Sequence, residues 1–329
     1  MIERIKSILR IIKRKIIITP VKNVFTSPVG IPHDIYIETS TVCNMRCVYC
    51  IRTKKEFPSK NKFMSLEDFK LIINKVSLFL EPLRKKTTVR FFINGLGEPT
   101  LNPDFLNMIL FLREKIPTSK ILFVSNFNAC DAEAYLKYIK AGADTIYISI
   151  DSLKQEVIEK SRCGANIAKM LNTLEEVCKT HSDKIVVISV LTEDCAREIK
   201  DIYAYIKHLG IRNWNIQLCL EHDVGFQIPV DGLAALRASL DIQPGMTVNF
   251  EGFPMPVCVQ PFNTMIINVE GKVVPCCSNT TGVIENWGCI FTDSPNNIYF
   301  GEKATRFREL YNTGTPALCV TCPLKNCMK

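Results

Sequence analysis

The sequence predicts an α/β protein: parallel strands wrapped by helices, followed by a smaller cysteine-rich module. Three observations carry this expectation. Between residues 34 and 220 short β-rich runs alternate with helical patterns, and after residue 221 the rhythm breaks at Pro229, Pro244, Pro254, Pro256 and Pro261. Beyond that break the chain collects Cys258, Cys276, Cys319 and Cys322. Strand, helix, strand repeated about six times gives parallel pairing, hence a barrel or an open doubly wound sheet.

The 329 residues suffice for one large domain and a small one, and the 47% hydrophobic content supports a sizeable core. Charged residues interrupt every apolar run before the roughly 18 residues of a membrane span. The net charge of +8 is densest at the start, where Arg4, Lys6, Arg10, Lys13, Arg14 and Lys15 alternate with isoleucines. No small-residue cleavage site follows, so a cytoplasmic location is expected. Ile2, Ile5, Ile8, Leu9 and Ile12 recur at helical spacing. Such a helix suits either packing across the main domain or peripheral contact with an anionic membrane. Basic residues elsewhere are dispersed and lack a stacking aromatic motif, which argues against nucleic acid.

The expected strands are "DIYIETS" (34–40), "VRFFING" (89–95), "ILFVSN" (121–126), "TIYISID" (145–151), "IVVISVL" (185–191) and "WNIQLCL" (214–220). Amphipathic segments lie near 66–80, 103–115, 131–141, 166–180 and 196–209. Ser65, with Asp68 three positions on, and Asp131 suit helix starts, and Gly210 suits a helix end. "TMIINVEGKVVPC" (264–276) reads as a hairpin turning at Glu270 and Gly271, and "RFRELYNTG" as a short helix stopped by Gly314. The expected division is a basic lead-in at 1–33, a core at 34–222, a connection at 223–257 and a cysteine-rich module at 258–329.

Fifteen cysteines, an odd number without an export signal, favour metal ligation over a disulfide framework. Cys43, Cys47 and Cys50 in "TVCNMRCVYC" follow the first expected strand, where parallel α/β folds gather their chemistry. Zinc wants a fourth ligand, and His33 precedes the strand at its opposite end. A cubane iron–sulfur cluster held by three thiolates leaves one iron open. The later quartet Cys258, Cys276, Cys319 and Cys322 supplies four thiols by itself, for zinc or a closed cluster.

This C-x3-C-x2-C loop, with Tyr49 before its last cysteine, resembles the signature of the radical S-adenosylmethionine (SAM) enzymes. The resemblance spans residues 34 to about 220. It implies a partial (β/α)6 TIM-like barrel, SAM chelating the open iron of a 4Fe–4S cluster, and an electron donor such as flavodoxin or ferredoxin. "NGLGEPTLNPDF" is similar to the family's Gly-Glu-Pro motif, with Gly97, Glu98 and Pro99 matching and Leu96 where many members carry glycine. The resemblance also implies SAM contacts from Tyr49, Ser125, Asn126, Ser149, Asp151 and Arg162, although Asp151 equally suits a turn cap. "GKVVPC" and "CVTCP" resemble the SPASM/twitch extension, which implies one auxiliary 4Fe–4S cluster on Cys258, Cys276, Cys319 and Cys322, with Cys327 as an alternative ligand. Cys277 is expected to pack, and Cys130, Cys163, Cys178 and Cys195 read as structural or surface thiols.

Two radical outcomes are open for a sugar, aminocyclitol or peptide substrate. The auxiliary cluster takes the substrate radical's electron while Glu221 or His222 acts as base, or Cys219 returns a hydrogen atom and epimerises the carbon. A non-enzymatic iron–sulfur or zinc scaffold is the reading of another class.

Overall fold

The computed structural model describes residues 29–53, 61–83, 87–218, 235–251, 258–277, 281–320 and 322. The basic segment 2–12, Cys219, Glu221, His222 and Cys327 lie outside the described residues. In chain order the strands are β1 (Asp34–Ile37), β2 (Arg46–Cys47), β3 (Arg90–Phe92), β4 (Lys120–Ser125), β5 (Thr145–Ser149) and β6 (Arg162–Cys163). They continue with β7 (Ile185–Leu191), β8 (Asn213–Leu218), β9 (Thr247–Glu251), β10 (Thr264–Ile267), β11 (Lys272–Val274) and β12 (Gly288–Cys289).

Ten of these form one sheet in the order β12-β11-β10-β1-β3-β4-β5-β7-β8-β9. Every neighbouring pair from β10 to β9 is parallel, as the alternation predicts, and the α/β arrangement agrees with the partial barrel that the family resemblance implies. The hairpin at 264–276 forms as expected, and Gly271 takes the left-handed turn with φ 76°. Its spacing did not show that β10 joins the main sheet beside β1, in register from Asp34↔Thr264 to Ile37↔Ile267. Within the expected connection, Thr247–Glu251 adds a further parallel strand against β8.

Side chains alternate across each strand. Ile35, Ile37, Phe91, Ile146, Ile148 and Trp214 are fully buried, and Phe123 meets the helix residues Phe105 and Tyr138 edge-on. On the opposite face Tyr36, Phe92, Tyr147 and Asn215 are half-buried and line the inside. Helices cover the buried face where their apolar stripes predict. Ser65 caps Leu66–Phe79 by accepting from Asp68 N–H, and Asp131 caps Ala132–Ala141 through Ala134 N–H. From the first of these helices Lys75 Nζ donates to the carbonyls of Ile290 (2.7 Å) and Phe291 (3.0 Å), binding the carboxyl-terminal module to the core.

A Cβ added at Gly271 would lie 2.4 Å from the Phe291 ring, besides the strain of its positive φ. We expect Gly271→Ala to lower the unfolding free energy by about 1–3 kcal/mol, read as a lower urea midpoint at unchanged slope.

Candidate functional site

Cys43, Cys47 and Cys50 sit half-buried on the loop leaving the carboxyl end of β1. Cys50 N–H donates to Cys47 O at 3.0 Å, which tightens the loop into a turn. Its middle, β2, pairs antiparallel with β6, so Cys47 stands opposite Arg162 and Arg46 opposite Cys163. Burial pushes the Cys47 thiol up to about 11, against the opposing pull of Arg162. Burial likewise raises Cys43. A bound iron reverses this preference, because a coordinating thiol is deprotonated outright.

Asp151 is the anchor of this loop. Its Oδ2 accepts from Tyr49 Oη (2.5 Å) and Arg162 Nε (2.7 Å), and its Oδ1 from Arg162 Nη2 (3.0 Å) and Val190 N–H (2.8 Å). The guanidinium also lies 5.4 Å over the Tyr49 ring. Burial disfavours its charge, but Asp151 and Tyr49 hold the Arg162 pKa above the ordinary arginine range. Asp151 is therefore committed to an ion pair rather than to a turn cap.

Glu98 forms a second anchor. Buried, it accepts at Oε1 from Thr100 Oγ1 (2.7 Å) and Ser125 Oγ (2.7 Å), and at Oε2 from Asn126 N–H (2.8 Å). Burial raises its carboxyl pKa, and these donors oppose that rise. Ser125 falls on the helix side of β4, where its hydroxyl also meets Tyr135 Oη at 2.7 Å. Asn126 reaches the cluster loop, donating from Nδ2 to Asn44 Oδ1 at 2.8 Å. Gly97 has a local reason: a Cβ there would lie 2.3 Å from Val42 O, and its N–H donates to Ser40 O at 3.0 Å. Pro99 opens the short turn that Glu98 caps. Ser149 ends β5 on the half-buried inner face, its hydroxyl without a hydrogen-bond partner among the described residues.

Sequence reasoning missed Glu38, whose one signal was an acid ending an apolar strand. It is buried, accepts at Oε1 from Leu96 N–H (3.1 Å) and at Oε2 from Val269 N–H (3.0 Å), and so joins the Gly-Glu-Pro loop to the hairpin turn.

In the carboxyl-terminal module Cys258, Cys276, Cys319 and Cys322 are all half-buried. Tyr311 Oη accepts from Cys258 N–H at 2.9 Å. Burial raises the Cys258 thiol, and the charges of Cys277 and Cys322 add to the rise. Cys277 departs from the expectation that it packs. β11 ends at Val274, so the strand alternation no longer applies, and Cys277 is exposed with Gln260 Nε2 donating to its Sγ at 3.2 Å.

Among the described residues no three His, Cys, Asp or Glu side chains converge as a single metal ion requires. Three half-buried thiols on one loop suit a cubane, which takes one thiolate per iron and leaves the fourth iron open. Thr39 Oγ1, Arg52 Nε and Asn94 Oδ1 are buried atoms without a hydrogen-bond partner among the described residues.

A family model described as the Radical SAM superfamily matches residues 37–206, and one described as the SPASM iron-sulfur cluster-binding domain matches residues 258–327. A "Tungsten-containing aldehyde ferredoxin oxidoreductase cofactor-modifying protein" of Pyrococcus furiosus is 24% identical over 89% of this chain and 87% of its own. The chain also matches GTP 3′,8-cyclases, such as that of Haemophilus ducreyi, spanning about half their length (52%). In fold, it is similar to BtrN in complex with AdoMet and 2-DOIA, at TM-score 0.59 and 17% identity over 90% of this chain and 94% of BtrN. Streptococcus suis SuiB bound to precursor peptide SuiA gives TM-score 0.67 at 14% identity, over 89% of this chain and 70% of SuiB.

Asp151→Asn leaves the Arg162 guanidinium buried without its charge partner. We expect a loss of about 3–5 kcal/mol in chemical denaturation. Exposed Arg197→Gln, in an ion pair with Glu193, should cost under about 1 kcal/mol in the same assay.

Proposed function

This chain belongs to the radical SAM superfamily, and from that membership we propose that it oxidises a sugar, aminocyclitol or peptide substrate, with one auxiliary 4Fe–4S cluster accepting the electron. When bound, the three-thiolate cluster and SAM supply a 5′-deoxyadenosyl radical that takes hydrogen from carbon. Cys43, Cys47 and Cys50 would hold that cluster, and Cys258, Cys276, Cys319 and Cys322 the auxiliary one.

One topological observation carries the oxidative reading. Cys258 precedes β10 and Cys276 follows the antiparallel β11, while β10 runs parallel to β1. This order favours the second thiol set at the amino end of β1 and the first at its carboxyl end. The four residues of β1 span about 13 Å at about 3.3 Å per residue. A substrate on the inner face would then lie between the radical and an electron acceptor.

That inner face supports a polar substrate. Tyr36 stacks on Phe92 with ring centroids 4.3 Å apart, Arg90 pairs with Asp34, and Asn249 Nδ2 donates to Asn215 Oδ1 at 3.2 Å. Aromatic faces with amide and charged groups suit a hydroxylated ring or a peptide, and among proteins of similar fold BtrN is seen in complex with 2-DOIA and SuiB with the precursor peptide SuiA. For SAM itself, Ser149 has a hydroxyl to offer the ribose, and Tyr49 and Asn126 border the loop. Glu98, Ser125 and Asp151 act by holding that loop in place. Glu221 or His222 would take the proton, and a flavodoxin or ferredoxin would supply the electron that starts the reaction. Epimerisation would rest on Cys219, whereas the topology supports a destination for an electron. A scaffold reading has no use for the radical SAM core to which the chain belongs.

The test is anaerobic reconstitution, reduction and addition of SAM. The expected result is about eight iron and eight sulfide per chain and release of 5′-deoxyadenosine. Cys43→Ala should abolish that release, and Cys258→Ala should keep it while lowering iron towards about four. No release at full cluster loading overturns the enzyme reading; solvent deuterium in an inverted product overturns oxidation in favour of epimerisation.

A further inference from the structure

Three successive amides of the Gly-Glu-Pro loop donate to alternate residues of the segment that runs from β1 to Cys43. Glu98 N–H reaches Val42 O (2.7 Å) and Gly97 N–H reaches Ser40 O (3.0 Å), both backbone bonds. The third, Leu96 N–H, meets a side chain instead, Glu38 at Oε1 (3.1 Å). The other oxygen of Glu38, Oε2, accepts from Val269 N–H (3.0 Å) in the turn between β10 and β11. Glu38 is buried, and Gly95 makes room for it: a Cβ there would lie 2.3 Å from Glu38 Cγ. A carboxylate accepts at both ends, whereas the amide of a glutamine would turn a donor towards one of the two N–H groups.

The far side of this link is tightly bonded. Buried Asn268 accepts at Oδ1 from Glu270 N–H (3.0 Å) and Lys272 N–H (2.9 Å), and its carbonyl accepts from Gly271 N–H (2.9 Å). The turn is thereby fixed to the start of β11, the strand that leads to Cys276.

We propose that Glu38 is a positioning residue through which SAM affinity at the first thiol loop depends on the hairpin of the auxiliary module. The inference rests on the radical SAM reading, in which the Gly-Glu-Pro loop borders SAM. Linkage makes the dependence reciprocal: the hairpin turn acts on SAM affinity, and bound SAM acts equally on the turn.

Reconstituted proteins are titrated with SAM by equilibrium dialysis, with iron and sulfide counted so that binding is read per loaded cluster. Gly271→Ala displaces the turn against Phe291, while Gly142→Ala, strained at φ 117° after the helix Ala132–Ala141, controls for stability lost away from the link. Glu38→Gln and Gly271→Ala should each weaken SAM about 5-fold or more, the double variant no more than Glu38→Gln alone, and Gly142→Ala not at all. Hydrogen exchange reads the same link in the unsubstituted protein, where SAM should slow exchange in peptides covering 268–275 as well as 94–99. Effects of Glu38→Gln and Gly271→Ala that multiply, wild-type affinity in either, equal weakening by Gly142→Ala, or no SAM-dependent protection at 268–275 overturns the proposal. Failure of the radical SAM reading is separately visible, because the wild type itself would then neither bind SAM nor release 5′-deoxyadenosine.

Discussion

The carboxylate of Asp151 fixes where the first thiol loop can lie. It joins the loop through Tyr49, the short strand β6 through Arg162, and the main sheet through Val190 N–H. β6 in turn sets Cys47 opposite Arg162. A buried ion pair is a poor source of stability, since desolvation offsets most of its attraction. Its use here is directional: a bidentate guanidinium and a phenol define angles that an apolar contact would leave free. A thiol ligand must be placed to within tenths of an ångström, and the loop has little core of its own to do it.

Glu98 does the same work on the other side of the loop. It ties the Gly-Glu-Pro turn to the end of β4, from which Asn126 reaches Asn44 beside Cys43. The following residue, Phe127, takes a left-handed backbone with φ 54°, uncommon for a large side chain. Its ring, stacked 4.0 Å from Tyr135 and fully buried, holds it there. The strain turns the chain sharply enough for Asn128 Oδ1 to accept from Asn166 N–H, beyond β6. Polar residues after β4 thereby reach both halves of the small ribbon.

Much of this architecture was legible because it is local. The strand Ile185–Leu191 and the helix Leu66–Phe79 follow from β-branched runs, helical spacing and the cap at Ser65. The thiol loop was legible from its spacing. What stayed hidden depends on partners distant in sequence. Asp151 reads as a SAM contact or a turn residue, and its ion pair with Arg162 depends on a segment that folds back on it; the hydrogen bonds of Glu98 to Ser125 and Asn126 likewise depend on residues far along the chain. β9 lies between Pro244 and Pro254, outside the strand–helix rhythm, and owes its conformation to pairing with β8 at the sheet edge. Two-residue strands such as β2 and β6 carry no periodicity at all.

The hairpin β10–β11 gives the inner space a fixed length. Its turn is held at the carboxyl end of β1 by Glu38 through Val269 N–H, and its backbone follows β1 in register down to Asp34↔Thr264. Lys75 pins the segment beyond β12 to the first long helix. Held along its length, the hairpin cannot slide against β1 without breaking a run of backbone hydrogen bonds in the buried sheet. Glu38 touches the Gly-Glu-Pro loop with its other oxygen. Any displacement of the hairpin turn is therefore transmitted to the loop that packs against the first three thiols, and the same carboxylate that sets the spacing also couples the two ends.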